Sequence, residues 1–193
     1  MSDHHEVPAE SGVWLPFDAA LGTTIPAMPG VLLLHDAPQR DRRGSFRKPY
    51  TINSLKGSPP AEIFFSSSSA GVVRGMHTSA PGHLSGKIVT VVSGKVMDVL
   101  LDLRPGRDFG KTVSLQLDPN SPSILVPSGV AHGFQALSDD TTLLYCVQNR
   151  YIPELERGVH PLSIGIKWPL PVSEISARDS RLPDITLVGR ADG

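Results

Sequence analysis

Lys87-Ile-Val-Thr-Val-Val-Ser-Gly-Lys-Val-Met-Asp-Val-Leu-Leu-Asp-Leu-Arg104 is the stretch that decides the fold class. Valine, isoleucine and leucine dominate it, and such side chains suit a pleated surface. Ser93-Gly94-Lys95 interrupts the run as a tight turn would, so the segment predicts two strands joined as a hairpin.

The same short-strand pattern continues on both sides. Residues 111–117 alternate Thr, Ser and Gln with Val, Leu and Leu, as a half-exposed strand does. Residues 124–126 and 131–137 flank a Pro-Ser-Gly turn, and 141–147 form a further strand. Upstream, 31–35, 61–68 and 72–77 read as strands, and Asp41-Arg-Arg-Gly44 as a turn before Ser45-Phe46-Arg47. Eighteen prolines and eighteen glycines are scattered among these runs, which is the punctuation of a sandwich or barrel. The expected fold is all-β: an antiparallel jelly-roll barrel. Pro153, Pro161, Pro169, Pro171 and Pro183 break the last quarter into a short proline-rich, partly helical C-terminal segment, with a helical turn or two near 173–179.

The 193 residues suffice for one domain with a real core, so residues 1–193 are read as a single domain with 1–14 as a flexible tail. Hydrophobic residues at 39 % and charged residues at 19 % indicate a globular chain. A net charge of −1 offers no broad basic field, so nucleic acid and anionic membrane are not expected as partners. The apolar runs are too short to cross a bilayer, and the polar start carries no apolar signal segment. Cys146 is the one cysteine, so no intrachain disulfide can form; a reducing cytoplasm is the expected location.

Several polar groups stand out within this scaffold. His77 ends a strand and could act as a general base, or simply bond the backbone. His132, between Ala131 and Gly133, leaves room for a ligand or sits in a turn. Lys87 opens the most apolar strand; inside a barrel it would need an anion or developing negative charge, and at a strand end it would be solvated. Tyr145 lies in an apolar run and is a core tyrosine or a general acid. Arg74 and Arg43 stand beside glycines and suit phosphate or carboxylate, or the surface. Asp179, in Ser-Ala-Arg-Asp, reads as a helix-start signal or a catalytic carboxylate. A barrel metal site of the His-x-His type is not expected, because position 79 is Ser79 and no glutamate follows within ten residues. The glycines match neither a P-loop nor a dinucleotide loop.

Together, Asp41-x-Arg-Gly-x-Phe46, Gly71-Val-Val-Arg-Gly-Met-His77, Gly86-Lys-Ile-Val89, Val92-x-Gly-x-Val-x-Asp-Val99, Val126-Pro-x-Gly-x-Ala-His-Gly-Phe134, Tyr145, Tyr151-x-Pro153, Ile164-Gly-Ile-Lys-Trp-Pro169 and Ser176-Ala-Arg-Asp179 resemble the dTDP-4-dehydrorhamnose 3,5-epimerase family. The resemblance implies a cupin-like double-stranded β-helix and an isomerase. Its reaction would be epimerisation at C3 and C5, or C3 alone, of a nucleotide-linked 4-keto-6-deoxyhexose in deoxysugar biosynthesis. It implies His77 as the base, Asp179 as its orienting carboxylate, Lys87 as the stabiliser of the enolate oxygen and Tyr145 as the acid on the opposite face. Arg74 and His132 would hold sugar and phosphates. Arg43 and Phe46 would meet the nucleotide, often across a dimer interface. Glu62 and Tyr151 fall among the substrate-binding positions as well. The resemblance implies no metal or organic cofactor, and a homodimer.

The chain departs from the family pattern around the ligand, with Lys48 in place of a glutamate and with Glu62 and Ser79 in place of glutamines. Two other functions fit the same residues less fully. One is a ketoisomerase of the same fold. The other is a non-catalytic nucleotide-sugar binder or metal cupin.

Overall fold

The computed structural model describes residues 21–55, 59–80 and 86–188; the expected tail over 1–14 lies outside them. The first strands are β1 (Gly22–Thr24), β2 (Leu32–Leu34), β3 (Gln39–Asp41), β4 (Gly44–Phe46) and β5 (Glu62–Ser68). The central ones are β6 (Val72–Ser79), β7 (Lys87–Ser93), β8 (Val96–Asp102), β9 (Thr112–Leu117) and β10 (Ile124–Val126). Then come β11 (Val130–Ala136), β12 (Thr141–Val147), β13 (Glu156–Gly158), β14 (Glu174–Ile175) and one short helix, α1 (Ile185–Val188).

Strands β5 to β12 form one long ribbon folded on itself. β5 pairs with β12, β6 with β11, β7 with β10 and β8 with β9, all antiparallel. Away from the β8–β9 tip, successive strands alternate between two sheets, ordered β1-β2-β10-β7-β12-β5 and β13-β6-β11-β8-β9. This nesting is the jelly-roll barrel expected from the strand pattern.

One expectation fails. Residues 87–104 do not make a hairpin, because β7 and β8 lie in opposite sheets. The chain crosses between the sheets at Ser93-Gly94-Lys95, with Gly94 at φ +75°. The ribbon's true hairpin is β8–β9. Burial explains the apolar density of both strands. Val89 and Val91 of β7 pack with Val96 and Leu100 of β8 in the core between the sheets. Their outer faces are covered too: Ile88 by Leu32, Leu34 and Leu55, and Val99 and Leu101 by Val159, Ile164 and Trp168. A strand buried on both faces reads as a near-continuous hydrophobic run.

The C-terminal segment is less helical than expected over 173–179. Glu174–Ile175 is strand β14, parallel to Val72 and Val73 of β6, and the 3-10 turn falls at Asp179–Arg181. β13 pairs with the other end of β6, through His77 to Ser79. Both additions satisfy backbone groups along the edge of β6 that would otherwise lie bare. Fully buried Gln135 clamps the segment to the sheet: its Nε2 donates to Leu170 O at 3.0 Å and its Oε1 accepts from Leu170 N at 3.0 Å. That clamp sets the path of the chain that delivers Asp179.

Candidate active site

The two sheets open at one end into a cavity of about 330 Å³. One wall comes from β5, β7 and β12. Along these strands side chains two apart share a face, and the register sets Glu62 opposite Val147 and Phe64 opposite Tyr145, with Lys87 beside Val147. All five line the cavity. The Phe64 and Tyr145 rings stack, centroids 4.9 Å apart and 14° from parallel.

The facing wall comes from β6 and β11, and it is irregular. His132 lies opposite His77, and Phe134 lies opposite Arg74, so two steps on β11 match three on β6. This bulge inserts an extra residue in β6. It reverses the alternation, and Arg74 and His77 both face the cavity although they are three positions apart. Two glycines make the bulge possible. Gly75 sits at φ +114°, and a Cβ there would lie 2.6 Å from Gly133 Cα; a Cβ on Gly133 would lie 2.6 Å from Arg74 O.

His77 Nε2 donates to Asp179 Oδ1 at 2.7 Å, joining residues 102 positions apart. Asp179 Oδ2 accepts from Gly75 N at 3.1 Å, and the Asp179 backbone N–H donates to Ser176 Oγ at 3.0 Å. Burial pushes the Asp179 carboxyl up, yet the bond and charge of His77, the Gly75 N–H and the Arg178 charge outweigh it and hold the carboxyl below the ordinary value. An ionised carboxylate accepts only, so the proton sits on Nε2 and leaves Nδ1 as the basic nitrogen. Glu156 Oε1 lies 3.8 Å from Nδ1, and Glu156 is itself paired with Arg178.

Lys87 bridges the walls, its Nζ donating to His77 O at 3.1 Å. Burial pushes its ammonium down to about 8, opposed by the charge of Asp98. Burial raises the Tyr145 hydroxyl, so it stays protonated across the neutral range. His132 Nε2 donates to Asp98 Oδ2 at 2.7 Å, and the His132 ring stands edge-on to Tyr145 at 6.2 Å. Arg74 projects at the mouth, braced by bonds from Nε to Ser68 Oγ and from a terminal nitrogen to Ser67 O, both 2.9 Å. At the rim, Glu62 Oε1 accepts from Tyr151 N at 3.2 Å, and the Arg178 guanidinium lies 5.6 Å from the centre of the Tyr151 ring.

Eight of the ten residues singled out in the sequence thus line one cavity: Glu62, Arg74, His77, Lys87, His132, Tyr145, Tyr151 and Asp179. Arg43 and Phe46 do not. They sit on the separate β3–β4 hairpin, which joins neither sheet. The Arg43 side chain is 90 % exposed and pairs with Asp41 of its own hairpin at 2.6 Å. The Lys48 ammonium stands 5.8 Å from the centre of the exposed Phe46 ring. Sequence reasoning missed Phe64, Asp98, Glu156 and Arg178. A signal existed for Asp98, because a carboxylate inside Val96-Met-Asp-Val-Leu-Leu101 needs a buried partner. Among the described residues no group of three or more His, Cys, Asp or Glu side chains is placed to hold a metal ion.

Comparison with known proteins gives one consistent result. The family model for dTDP-4-dehydrorhamnose 3,5-epimerase matches residues 26–186. A dTDP-4-dehydrorhamnose 3,5-epimerase of Streptomyces griseus is 35 % identical over 159 residues, covering 78 % of this chain and 80 % of that protein. A 4-keto-6-deoxy sugar epimerase from the novobiocin biosynthetic gene cluster of Streptomyces spheroides superimposes with a TM-score of 0.80 at 31 % identity, over 94 % of this chain and 96 % of that one. A Legionella pneumophila 3,5-epimerase solved with dTDP-4-keto-L-rhamnose superimposes with a TM-score of 0.74 at 31 % identity, over 86 % and 92 % of the two chains.

Proposed function

The chain belongs to the dTDP-4-dehydrorhamnose 3,5-epimerase family, and we propose that its cavity acts on a nucleotide-linked 4-keto-6-deoxyhexose, with dTDP-4-keto-6-deoxyglucose as the substrate. It is a sugar epimerase of deoxysugar biosynthesis, an isomerase. The observation that supports the mechanism is the position of two side chains suited to moving protons. His77 stands on one sheet and Tyr145 on the other, with the cavity between them.

The ketone at C4 acidifies the protons at C3 and C5. His77 Nδ1 takes such a proton from one face, and the Asp179 carboxylate holds the ring and balances the imidazolium that forms. Electron density moves to the carbonyl oxygen, where the Lys87 ammonium supplies fixed positive charge in a site screened from water. Tyr145 returns a proton to the opposite face, which inverts the centre. Arg74 and His132 hold the sugar and diphosphate, and Glu62 and Tyr151 border the nucleotide. No step draws on a metal or organic cofactor.

A homodimer, in the cytoplasm, completes the reading. Exposed Ile63 and Phe65 on the edge strand β5 give an apolar surface for a second copy. The projecting β3–β4 hairpin gives Arg43 and Phe46 a route to the partner's cavity. The hairpin's base is held firmly, since Arg47 donates to Asp36 at 3.0 Å and both side chains are nearly buried. We assign the described residues to one working domain.

Proton NMR of dTDP-4-keto-6-deoxyglucose in deuterated water tests the reading. Deuterium entering at C3 and C5 means double inversion, and entry at C3 alone means a 3-epimerase. No exchange at either carbon would refute this substrate. Light scattering at the mass of one chain would refute the dimer.

A further inference from the structure

Asp98 lies beneath the cavity floor and is completely buried. One oxygen accepts from His132, which is itself 3 % exposed. The other oxygen, Oδ1, meets no donor among the described residues. A buried carboxylate oxygen left without a partner carries its full desolvation penalty. A well-packed apolar strand such as β8 would be more stable with an uncharged residue there, so the charge calls for a use.

We propose that Asp98 is a positioning residue for the epimerisation: it fixes His132 with Nε2–H turned away from the substrate and Nδ1 left for it, and it places a negative charge behind the Lys87 ammonium that meets the enolate oxygen. The inference rests on the epimerase reading of the cavity. Its geometry is that of two histidine–aspartate pairs on neighbouring strands, His77–Asp179 and His132–Asp98, each 2.7 Å long, with the histidines opposite one another in register. The first pair opens to the substrate and moves a proton. The second shows only its histidine to the cavity and holds its carboxylate charge still behind it.

Beyond His132, that charge reaches both Lys87 and Tyr145. The cavity that Lys87 lines also holds Tyr145 from β12, Glu62 from β5, Arg74 and His77 from β6, His132 from β11, Arg150 and Tyr151 after β12, Glu156 from β13 and Arg178 with Asp179 from the C-terminal turn. β10, its other sheet neighbour, is Ile-Leu-Val and brings no ionisable side chain. Burial depresses the Lys87 ammonium, and the charge of Asp98 is what opposes it.

Asp98→Asn keeps the shape and removes the charge. In wild-type enzyme the basic limb of kcat/KM for deuterium exchange should fall near pH 8. In the variant that limb should move to lower pH, with a loss at pH 8 on the order of ten-fold or more. Asp98→Glu should restore part of both. A variant profile that superimposes on the wild type, with only a lower melting temperature, would overturn the inference. Should Asp98→Asn not fold, nitrogen-15 NMR of the wild-type His132 ring decides: protonated Nε2 supports the assignment, and a bare Nε2 overturns it. Absence of exchange by the wild type itself would overturn the epimerase reading and this inference with it.

Discussion

The two walls of the cavity are built by different means. The wall of β5, β7 and β12 is a regular sheet whose side chains enter by simple alternation, so Phe64, Tyr145, Val147 and Lys87 follow from register alone. The wall of β6 and β11 depends on a bulge, two facing glycines and a carboxylate brought from the far end of the chain. The regular wall presents an apolar face with a tyrosine hydroxyl and a lysine ammonium. The irregular wall presents two carboxylate-backed histidines, His77 and His132. A proton donor needs only burial to stay protonated, and a strand supplies that. A base needs an oriented ring and a counter-charge, which adjacent residues on one strand cannot provide because their side chains point to opposite faces.

The largest effect should come from His77→Ala on the irregular wall. Deuterium exchange should fall by about 10²- to 10⁴-fold while calorimetric binding of dTDP persists. Loss of both would show that His77 shapes the wall rather than removing the proton. Tyr145→Phe tests the opposite wall and keeps the stacking with Phe64. Net inversion should slow by about 10²-fold and first proton loss by much less. Equal slowing of the two would erase the division of labour between the walls.

Backbone tolerance separates the walls next. Gly133→Ala places a Cβ against Arg74 O and Met76 Sδ, both at 2.6 Å. It should cost about 1–3 kcal/mol in thermal or urea unfolding and disturb exchange. Gly86→Ala, at the start of the regular wall, meets mainly the end of the Gln148 side chain and should cost about 0.5 kcal/mol. A reversed order would break the comparison.

The dependence on pH probes both walls without a substitution. Lys87 titrates near 8 in the folded protein, below its ordinary 10.5. Above pH 8 the cation is lost and kcat/KM should decline roughly ten-fold per unit. Stability moves the other way. The folded state binds the Lys87 proton less tightly, so the cost of charging it is full below about 8 and is relieved as pH climbs toward 10.5. Asp179 acts at the acid end. Its lowered carboxyl adds stability above the ordinary carboxylate value, and this is lost as pH falls through the folded value. Denaturation curves across pH check both signs.

Much of the site was legible because the alternation of side chains along a strand is local. His77, Lys87, His132 and Tyr145 were readable as polar groups set in apolar strands, and the family resemblance gave them roles. Phe64 was not, since an aromatic in a strand reads as core until its neighbour across the ladder is known. The hairpin expected at 93–95 failed because a glycine turn looks the same whether it reverses within a sheet or crosses between two.

The sequence by itself determined the all-β character, most strand positions and the jelly-roll class, because each depends on alternation and turn chemistry over a few residues; the family resemblance, rather than any local pattern, picked out eight of the cavity side chains. Only the tertiary structure decided that β7 and β8 part company, that Arg74 and His77 share a face through a bulge, that Asp179 reaches His77, and that Asp98 sits sealed behind His132. Those are pairings across many positions in the chain, and no local preference records which distant strand will bury a given face.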